Sequence, residues 1–269
     1  MLHVGCQTYT WEMLGGAWTG KVDDILDAVA DAGYEGIEIT NAMIREYDEK
    51  PDDFARALKT RGLRLAAFAY ASPAGLTTQE ARPQELAGAD KALHFAGAFP
   101  GAVLAIGGAS SPQRADVAAK IKFAAEFYNE VGRRGQKVGV PVAFHPHSHH
   151  GSLLESREEY DLVMESTDPK LVHWNPDTGH IVRGGQNLLD TLRRYGSRIA
   201  HVHLKDADKS NNWQPLGKGV CNIPEVLSLL ESELNYQGWI VGEEESADAR
   251  QDPVRAIRWN RDYLKSLGR

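Results

Sequence analysis

Short apolar segments alternate with amphipathic segments along the whole chain. Eight of the apolar segments are rich in β-branched or aromatic residues, and the stretches between them repeat apolar residues at helical spacing. The predicted strands lie near Val4–Tyr9, Gly36–Ile39, Leu63–Tyr70, Ala102–Ile106, Val140–His145, Leu171–Asn175, Ile199–Leu204 and Trp239–Gly242. Strands that alternate with helices form a parallel sheet through right-handed crossovers. Eight such units in 269 residues predict an α/β protein, a closed (β/α)8 TIM barrel, in which residues 1–269 form a single domain.

Residues typical of helix ends mark the boundaries between these units. Pro51, Asp116 and Pro224 are placed to begin helices, and the last helix is predicted from Pro253 to Leu267. Four glycines are predicted to end helices, namely Gly33, Gly62, Gly132 and Gly135. An open doubly wound sheet is the alternative fold, but no GxGxxG motif follows the first strand, so nothing supports dinucleotide binding.

Composition and charge argue against several classes of binding partner. The net charge of −7 argues against a nucleic acid, because phosphate binding needs a positive surface. Cys6 and Cys221 are too few for a disulfide framework and are not spaced as a zinc motif. The N-terminus lacks the basic and apolar parts of a signal peptide, and no apolar run is long enough to span a bilayer. We therefore expect a reduced, cytoplasmic location with neither a nucleic-acid nor a membrane partner.

Imidazole and carboxylate side chains are concentrated at the ends of strands five to eight, where a TIM barrel places its active site. They are His145, His147, His149, His150, Asp177, His180, His201, His203 and Glu243–Glu245. Nitrogen and oxygen donors without a thiol suit a divalent ion such as Mn²⁺, Co²⁺, Zn²⁺ or Fe²⁺. The predicted ligands, one from each strand, are His145 or His147, Asp177, His203 and a glutamate of the eighth strand.

Each of these features also has a simpler structural explanation. The segment 145–150 is compatible with a polar loop, and Asp177-Thr178-Gly179 with a turn or a helix cap. The run Glu243–Glu245 is compatible with a solvated acidic surface, which is the interpretation we prefer for Glu244. Each simpler explanation is as good as the functional one when taken alone. Four of them at the strand ends of one predicted barrel form an improbable coincidence, and the metal site is favoured.

Five segments carry a resemblance to a known superfamily. They are VAFHPHSHHGS at 142–152, TDPKLV at 167–172, DTGHI at 177–181, HVHLKD at 201–206 and GWIVGEE at 238–244. On these segments the chain resembles the xylose-isomerase-like TIM-barrel superfamily of sugar isomerases and epimerases, and within it the inosose dehydratase (2-keto-myo-inositol dehydratase) group. The likeness covers the C-terminal half well. In the N-terminal half it is carried by VGCQTYTW at the start and by GIEI in the second strand.

The resemblance implies roles for particular residues. Asp177, His203 and Glu243 match metal ligands, with Glu245 as the fallback because alternation puts it on the same face as Glu243. His180 matches a substrate-binding histidine. In typical isomerases and epimerases of this fold the fifth strand ends in a glutamate that binds metal and moves a proton. Here that position is His145, as in the inosose dehydratase group, and the resulting asymmetry favours elimination over epimerisation.

These roles imply a metal-dependent lyase that removes water from a keto-cyclitol or keto-sugar through a metal-bound enediolate. The candidate base is Glu243 or His145, and the candidate acid is His147 or His180. Substrate contacts are expected from His180, His147, Lys205, Asp206, Trp11 and Glu38. His149, His150 and Ser152 depart from the HxHxGT pattern of the dehydratase group, which leaves the exact substrate open.

Three other functions fit parts of the same pattern. A metal-dependent sugar isomerase or epimerase would use the same residues, but it would return the proton instead of expelling water. A catalytically silent sugar-binding barrel would bind no metal. A metal-dependent repair endonuclease shares the superfamily's barrel, but the acidic balance of the chain opposes it. Many barrels pair through their helices, so a homo-oligomer is an expectation from fold analogy alone.

Overall fold

Eight parallel strands form one sheet in the computed structural model, which describes residues 2–148 and 151–269. These strands are β1 (His3–Gln7), β2 (Gly36–Thr40), β3 (Arg64–Tyr70), β4 (Val103–Gly107), β5 (Val142–His145), β6 (Val172–Trp174), β7 (Val202–Leu204) and β10 (Trp239–Gly242). Two short strands, β8 (Asp206–Ala207) and β9 (Trp213–Gln214), form a separate antiparallel hairpin. The predictions that involve His149 and His150 lie outside the described residues.

The sheet curls until its two edge strands meet. The strand order is β6-β5-β4-β3-β2-β1-β10-β7, and two single parallel bridges join the edges, Trp174 with Ile199 and Asp177 with His203. Each predicted strand corresponds to an observed one, with boundaries that differ by a few residues. The predicted (β/α)8 TIM barrel is therefore confirmed.

Helices alternate with the strands along the chain. They are α1 (Tyr9–Glu12), α2 (Val22–Ala32), α3 (Pro51–Thr60), α4 (Arg82–Gly97), α5 (Val117–Val138), α6 (Arg157–Ser166), α7 (Thr178–Arg183), α8 (Leu188–Tyr195), α9 (Ile223–Ser228), α10 (Ala247–Gln251) and α11 (Pro253–Ser266). A π-helical turn, Leu229–Glu233, continues α9. Within the described residues, no helix is long and apolar enough to cross a membrane.

Two glycines that were predicted to end a helix lie inside one. Gly132 and Gly135 belong to α5, which continues to Val138 and ends at Gly139, whose φ of 72° is left-handed. A Cβ on Gly132 would lie 2.5 Å from the carbonyl oxygen of Leu171, and a Cβ on Gly135 would meet backbone just as closely. These glycines therefore allow the helix to approach the sheet closely. The prediction that they end a helix was wrong because close packing and helix termination both favour glycine.

Among the described residues, the interior consists of one large core and two small clusters. The larger core lies between the strands and the helices and contains big side chains such as Ile37, Phe144 and Trp174. A separate small cluster contains Ala67, Val103, Ala105 and Ala143 of β3, β4 and β5. Residues alternate between the two faces of a strand, so the small side chains face the inside of the barrel. They leave room above them for a cavity at the C-terminal ends of the strands.

Candidate metal centre

Four buried side chains from four neighbouring strands meet at the C-terminal end of the barrel. His145 ends β5, Asp177 follows β6, His203 belongs to β7, and Glu243 follows β10. One potential ligand atom from each lies within 4.8 Å of those of the other three. We call these four residues the quartet. The structure brings together all four residues that the sequence proposed as ligands, with His145 rather than His147 from the fifth strand.

The facing atoms of the quartet have no hydrogen-bond partners among the described residues. They are His145 Nε2, Asp177 Oδ2, His203 Nδ1 and Glu243 Oε2. Glu243 Oε2 lies 2.7 Å from His203 Nδ1, an ion pair when the ring is protonated, and 3.8 Å from His145 Nε2. Asp177 Oδ2 lies 4.0 Å from His203 Nδ1. Ligand atoms bonded at about 2.0–2.2 Å to one small divalent ion lie roughly 3–4 Å apart. Four orphaned donors at this spacing fit a metal ion, since buried polar atoms normally have partners.

The charges around the quartet also favour a bound metal cation. Asp177 and Glu243 lie close to two more carboxylates, Glu38 and Glu245, while Lys205 is the one lysine buried among them in the described chain. When the imidazoles are neutral, this leaves a clear excess of negative charge in a water-poor site. A divalent cation would offset most of that excess, which is costly to bury unpaired.

Burial and neighbouring charge shift the pKa values in opposite directions. Burial, helped by the charge of His203, lowers the pKa of His145 to about 3, so its ring is neutral. Burial alone would also lower the pKa of His203, but the carboxylates of Glu38 and Glu243 outweigh it and raise the pKa to about 10. Burial would raise the pKa of Glu243, but Lys205 and His203 hold it well below its usual range. In the absence of a metal ion, a proton on His203 therefore supplies part of the missing positive charge.

Glu38 lies on β2, and its carboxylate orients the ring of His203. Its Oε2 lies 2.7 Å from His203 Nε2 and 2.6 Å from His201 Nε2, and its side chain is fully buried. With Nε2 engaged by a carboxylate, Nδ1 of His203 is turned toward the quartet. Carboxylate–histidine pairs of this kind orient metal ligands. Glu38 was also expected to contact substrate; it borders the cavity described below, so that expectation stays a prediction beside its role in positioning His203.

Lys205 lies between Glu243 and Glu245, the two candidates for the fourth ligand. Its Nζ lies 3.1 Å from Glu243 Oε1, forms an ion pair with Glu245, and lies 4.3 Å from the ring centre of Trp213. Glu245 therefore pairs with Lys205, whereas Glu243 uses one oxygen for Lys205 and turns the other toward the quartet. Glu243 is better placed than Glu245 as the fourth ligand.

Asp177 is both a helix cap and a member of the quartet. Its Oδ1 accepts a hydrogen bond of 2.7 Å from the backbone N–H of His180 at the start of α7, while Oδ2 faces the quartet. The ring of His180 lies edge-on to Trp213, with centroids 4.9 Å apart, and its Nδ1 accepts a hydrogen bond from the backbone N–H of Ser148. The half-buried ring of His147 lies 4.5 Å from that of His145.

Two residues expected to contact substrate have structural roles instead. The carboxylate of Asp206 accepts hydrogen bonds of 3.0 Å from the backbone N–H groups of Gly217, Gly219 and Cys221. Strand alternation turns Lys205 inward and Asp206 outward, toward this loop. The side chain of Trp11 is buried in the hydrophobic core, which is the commoner position for tryptophan.

The solvated position preferred for Glu244 is also wrong. Its side chain is buried; Oε1 accepts from the backbone N–H of Ser246 and Oε2 from Asn260 Nδ2 of α11, both at 2.8 Å. A run of three acidic residues therefore divides into two that face the barrel interior and one that holds the last helix.

A cavity of about 190 Å³ opens above the quartet. The residues that border it include His145, His147, Glu243, Glu245, Tyr9, Glu12, Thr40 and Tyr70. The volume is below the roughly 300–1,000 Å³ of pockets for drug-sized ligands, so it suits a small molecule. Glu12 and Thr40 had not been identified as site residues. The signal available for Glu12 was its position three residues after Tyr9, just beyond the first strand, where a helical turn puts both on one face.

Comparison with known proteins identifies the family. A profile of the xylose isomerase-like TIM barrel family matches residues 26–267. The chain belongs to this family. An inosose dehydratase of Clostridium beijerinckii is 27% identical over 279 residues, an alignment that covers 91% of this chain and 90% of that relative.

Solved structures agree with the family assignment at the level of the fold. The IOLI protein, solved with a bound zinc atom, has a TM-score of 0.82 at 16% identity, covering 99% of this chain and 98% of that one. L-ribulose 3-epimerase has a TM-score of 0.78 at 15% identity, covering 99% of this chain and 94% of that one. At such identities the likeness concerns the barrel and not the activity. The chain is thus related in sequence to enzymes of this family.

Proposed function

We propose that the protein is a divalent-metal-dependent dehydratase that acts on a keto-cyclitol of the inosose type or on a related keto-sugar. The observation that carries the metal is the convergence of four buried, orphaned atoms, one from each member of the quartet. The observation that favours dehydration is the alignment with an inosose dehydratase over 91% of this chain. His145 supports the same choice, because it stands where paired-carboxylate epimerases of the superfamily have a glutamate.

The quartet would hold the ion through His145 Nε2, Asp177 Oδ2, His203 Nδ1 and Glu243 Oε2. This mixture of nitrogen and oxygen donors accepts Mn²⁺, Co²⁺, Zn²⁺ or Fe²⁺, and affinity depends on supply as well as ligand type. When bound, such an ion polarises a substrate carbonyl as a Lewis acid and so acidifies the neighbouring C–H group. The cavity above the quartet would hold the sugar ring, with its carbonyl directed toward the four ligands.

Glu243 is the proposed base. Its carboxylate stays ionised because Lys205 and His203 outweigh the effect of burial and lower its pKa, and it borders the cavity from the side of β10. Lys205 fixes Oε1 of Glu243 at 3.1 Å, so Oε2, the oxygen turned toward the quartet, would be the one that takes the proton. Burial and the nearby charge of Lys205 lower the pKa of His180, so its ring is neutral and suited to hold a substrate hydroxyl rather than to donate a proton.

An isomerase or epimerase is the second candidate, because solved epimerases share the fold. It would use the same ion and the same first proton transfer, and a second group would then return the proton to carbon. Symmetrical epimerisation uses two facing carboxylates, whereas here Glu243 faces the imidazole of His145 at 3.8 Å. This asymmetry is the reason that we rank dehydration first.

The deciding experiment uses protein stripped of metal, reloaded with Mn²⁺ or Co²⁺, and given 2-keto-myo-inositol in D2O. After the hydroxyl deuterons are exchanged back to protons, we expect a product that has lost one water relative to the substrate, measured by mass spectrometry. His203→Ala is the control and should lose both metal and product. Deuterium incorporation into an isomer of unchanged mass would move the assignment to isomerase or epimerase. Neither exchange nor product in metal-loaded protein would reject this substrate class.

A further inference from the structure

We infer that Glu12 is a further catalytic residue, the proton donor to the hydroxyl that leaves the substrate. This inference rests on the proposed dehydration. The proposed base, Glu243, removes a proton from carbon on one side of the cavity. Elimination also needs an acid at the next carbon, and a second carboxyl group that borders the same cavity can serve that position without recovering the same proton.

The fold places Glu12 on the opposite wall of the cavity from His145. β1, which leads into α1, and β5, which ends at His145, are four strands apart in the eight-stranded barrel and so face each other. Both side chains border the same 190 Å³ cavity. A small ring with one edge at His145 would therefore have its other edge near Glu12, which follows the strand next to the one that leads to Glu243.

Thr40 fixes one oxygen of Glu12 and leaves the other for the substrate. The hydroxyl of Thr40 accepts a hydrogen bond of 3.2 Å from the backbone N–H of Met43, so its own proton is free to donate to Glu12 Oε2, 2.5 Å away. Because Oε2 is the acceptor in this bond, a protonated Glu12 carries its proton on Oε1. The carboxyl group is thus held in one orientation with its acidic edge directed away from Thr40.

The surroundings of Glu12 favour the protonated form. Burial is the largest influence and raises its pKa; the Thr40 hydrogen bond opposes this, and the negative charge of Glu243 adds to it. Tyr9 lies on the same face of α1, and its own pKa is raised by burial and by Glu245. Closure of the cavity by a substrate would remove more water and act in the same direction.

The chemistry balances without an oxidant or a reductant. Glu243 takes the proton from the carbon beside the carbonyl, and the electron pair of that C–H bond is delocalised into the carbonyl as an enolate. The pair then forms a C=C bond to the next carbon while the C–O bond of its hydroxyl breaks, with the electrons remaining on oxygen. Glu12 gives its proton to that oxygen and water leaves. Exchange with solvent then removes the proton from Glu243 and returns a proton to Glu12.

The test separates the two proton transfers in Glu12→Gln. Metal-loaded protein receives 2-keto-myo-inositol in D2O, and mass spectrometry follows both deuterium uptake into the substrate and loss of water. We expect water loss to fall about 10²- to 10⁴-fold, the usual contribution of a general acid, while deuterium uptake stays within about threefold of the wild type. Metal affinity, measured by calorimetry, should be unchanged. Glu12→Asp should recover part of the rate.

Several outcomes would overturn the inference. Water loss in Glu12→Gln within about threefold of the wild type would remove Glu12 from the reaction. Equal loss of exchange and of water would assign it to binding or to the first proton transfer. Glu80→Gln, a carboxylate exposed on the surface, is the control for a change of charge alone. If Glu12→Gln does not fold, Glu12→Asp alone must show the selective loss. Wild type without product would reject the proposed function first, and this inference with it.

Discussion

At His203, two carboxylates engage the two nitrogens of one imidazole. Glu38 approaches Nε2 and Glu243 approaches Nδ1, both at 2.7 Å. The Glu38 contact is a hydrogen bond, whereas the Glu243 contact is an ion pair only when the ring is protonated. The ring is therefore oriented by Glu38, and Nδ1 is the nitrogen left for an ion. A residue that never touches the ion can in this way control how tightly it is held.

Replacing Glu38 should weaken metal binding without unfolding the barrel. In Glu38→Gln the amide keeps the shape of the side chain but loses the charge that orients His203. We expect metal affinity to fall about 10- to 100-fold, as for other residues that orient metal-bound histidines. Competition with a chelator measures the change. Glu35→Gln, at the opposite end of the barrel near His3 and Arg64, is the matched control; an equal loss there would contradict the role of Glu38.

The pKa of His203 predicts a pH dependence for the metal-free protein. Because the pKa rises from 6.5 to about 10 on folding, the charged ring stabilises the fold below pH 6.5, and this stabilisation is lost as the pH rises toward 10. A bound ion replaces the proton on Nδ1. The difference in melting temperature between metal-loaded and metal-free protein should therefore grow from pH 6.5 to pH 9. A difference that stays constant or shrinks over that range would count against metal binding at Nδ1.

At the scale of elements, the loop after β7 covers one side of the site. The hairpin of β8 and β9 carries Trp213, whose ring lies against Lys205 and His180. Asp206 organises the rest of the loop by accepting from backbone N–H groups up to Cys221. A Cβ on Gly219 would lie 2.1 Å from Asp206 Oδ1, so only glycine permits this close approach. The loop thus depends on one buried carboxylate.

Asp206→Asn should therefore lower stability more than it lowers metal binding. The amide has one acceptor oxygen in place of two and turns an NH2 group toward backbone N–H groups, which costs about 2–4 kcal/mol for hydrogen bonds to a buried charge. Urea denaturation measures the free energy of unfolding. Asp208→Asn, on the exposed part of the same loop, should cost much less. A raised KM for substrate with unchanged stability would instead restore the expected substrate contact of Asp206.

The sequence reveals the parts of the site that depend on local patterns, and it does not reveal contacts between residues far apart in the chain. Strand ends and strand alternation are local, so they predicted that His203, Asp177 and a glutamate of the eighth strand point the same way. The link between Glu38 and His203 joins strands 165 residues apart, and no local pattern indicates it. Glu244 was misjudged for the same reason, because its partner Asn260 belongs to the last helix.

Over the whole molecule, the barrel closes at its least extensive strand pairing. β6 and β7 are joined by two isolated bridges, one of which pairs Asp177 with His203. Asp177 and His203, both members of the quartet, therefore lie on opposite sides of the seam where the barrel closes. An ion bound by both would connect the two edges of the sheet directly, so metal binding and barrel closure should be linked.

Metal loading should raise the thermal stability of the barrel and protect this seam. An ion at about 1,000 times its dissociation constant stabilises the folded state by about 4 kcal/mol, which corresponds to an increase in melting temperature on the order of 10 °C for a chain of this size. Hydrogen exchange should slow most in residues 174–177 and 199–205. Protection spread evenly over the barrel, or confined to α3 and α4, would contradict the link.

The most direct test of the account is the position of the ion. Crystals grown with Zn²⁺ and measured at the zinc absorption edge would locate it by anomalous scattering. The account predicts one strong peak about 2.0–2.2 Å from His145 Nε2, Asp177 Oδ2, His203 Nδ1 and Glu243 Oε2. A peak held instead by His145, His147 and His180, or no peak at the quartet at full zinc loading, would contradict it.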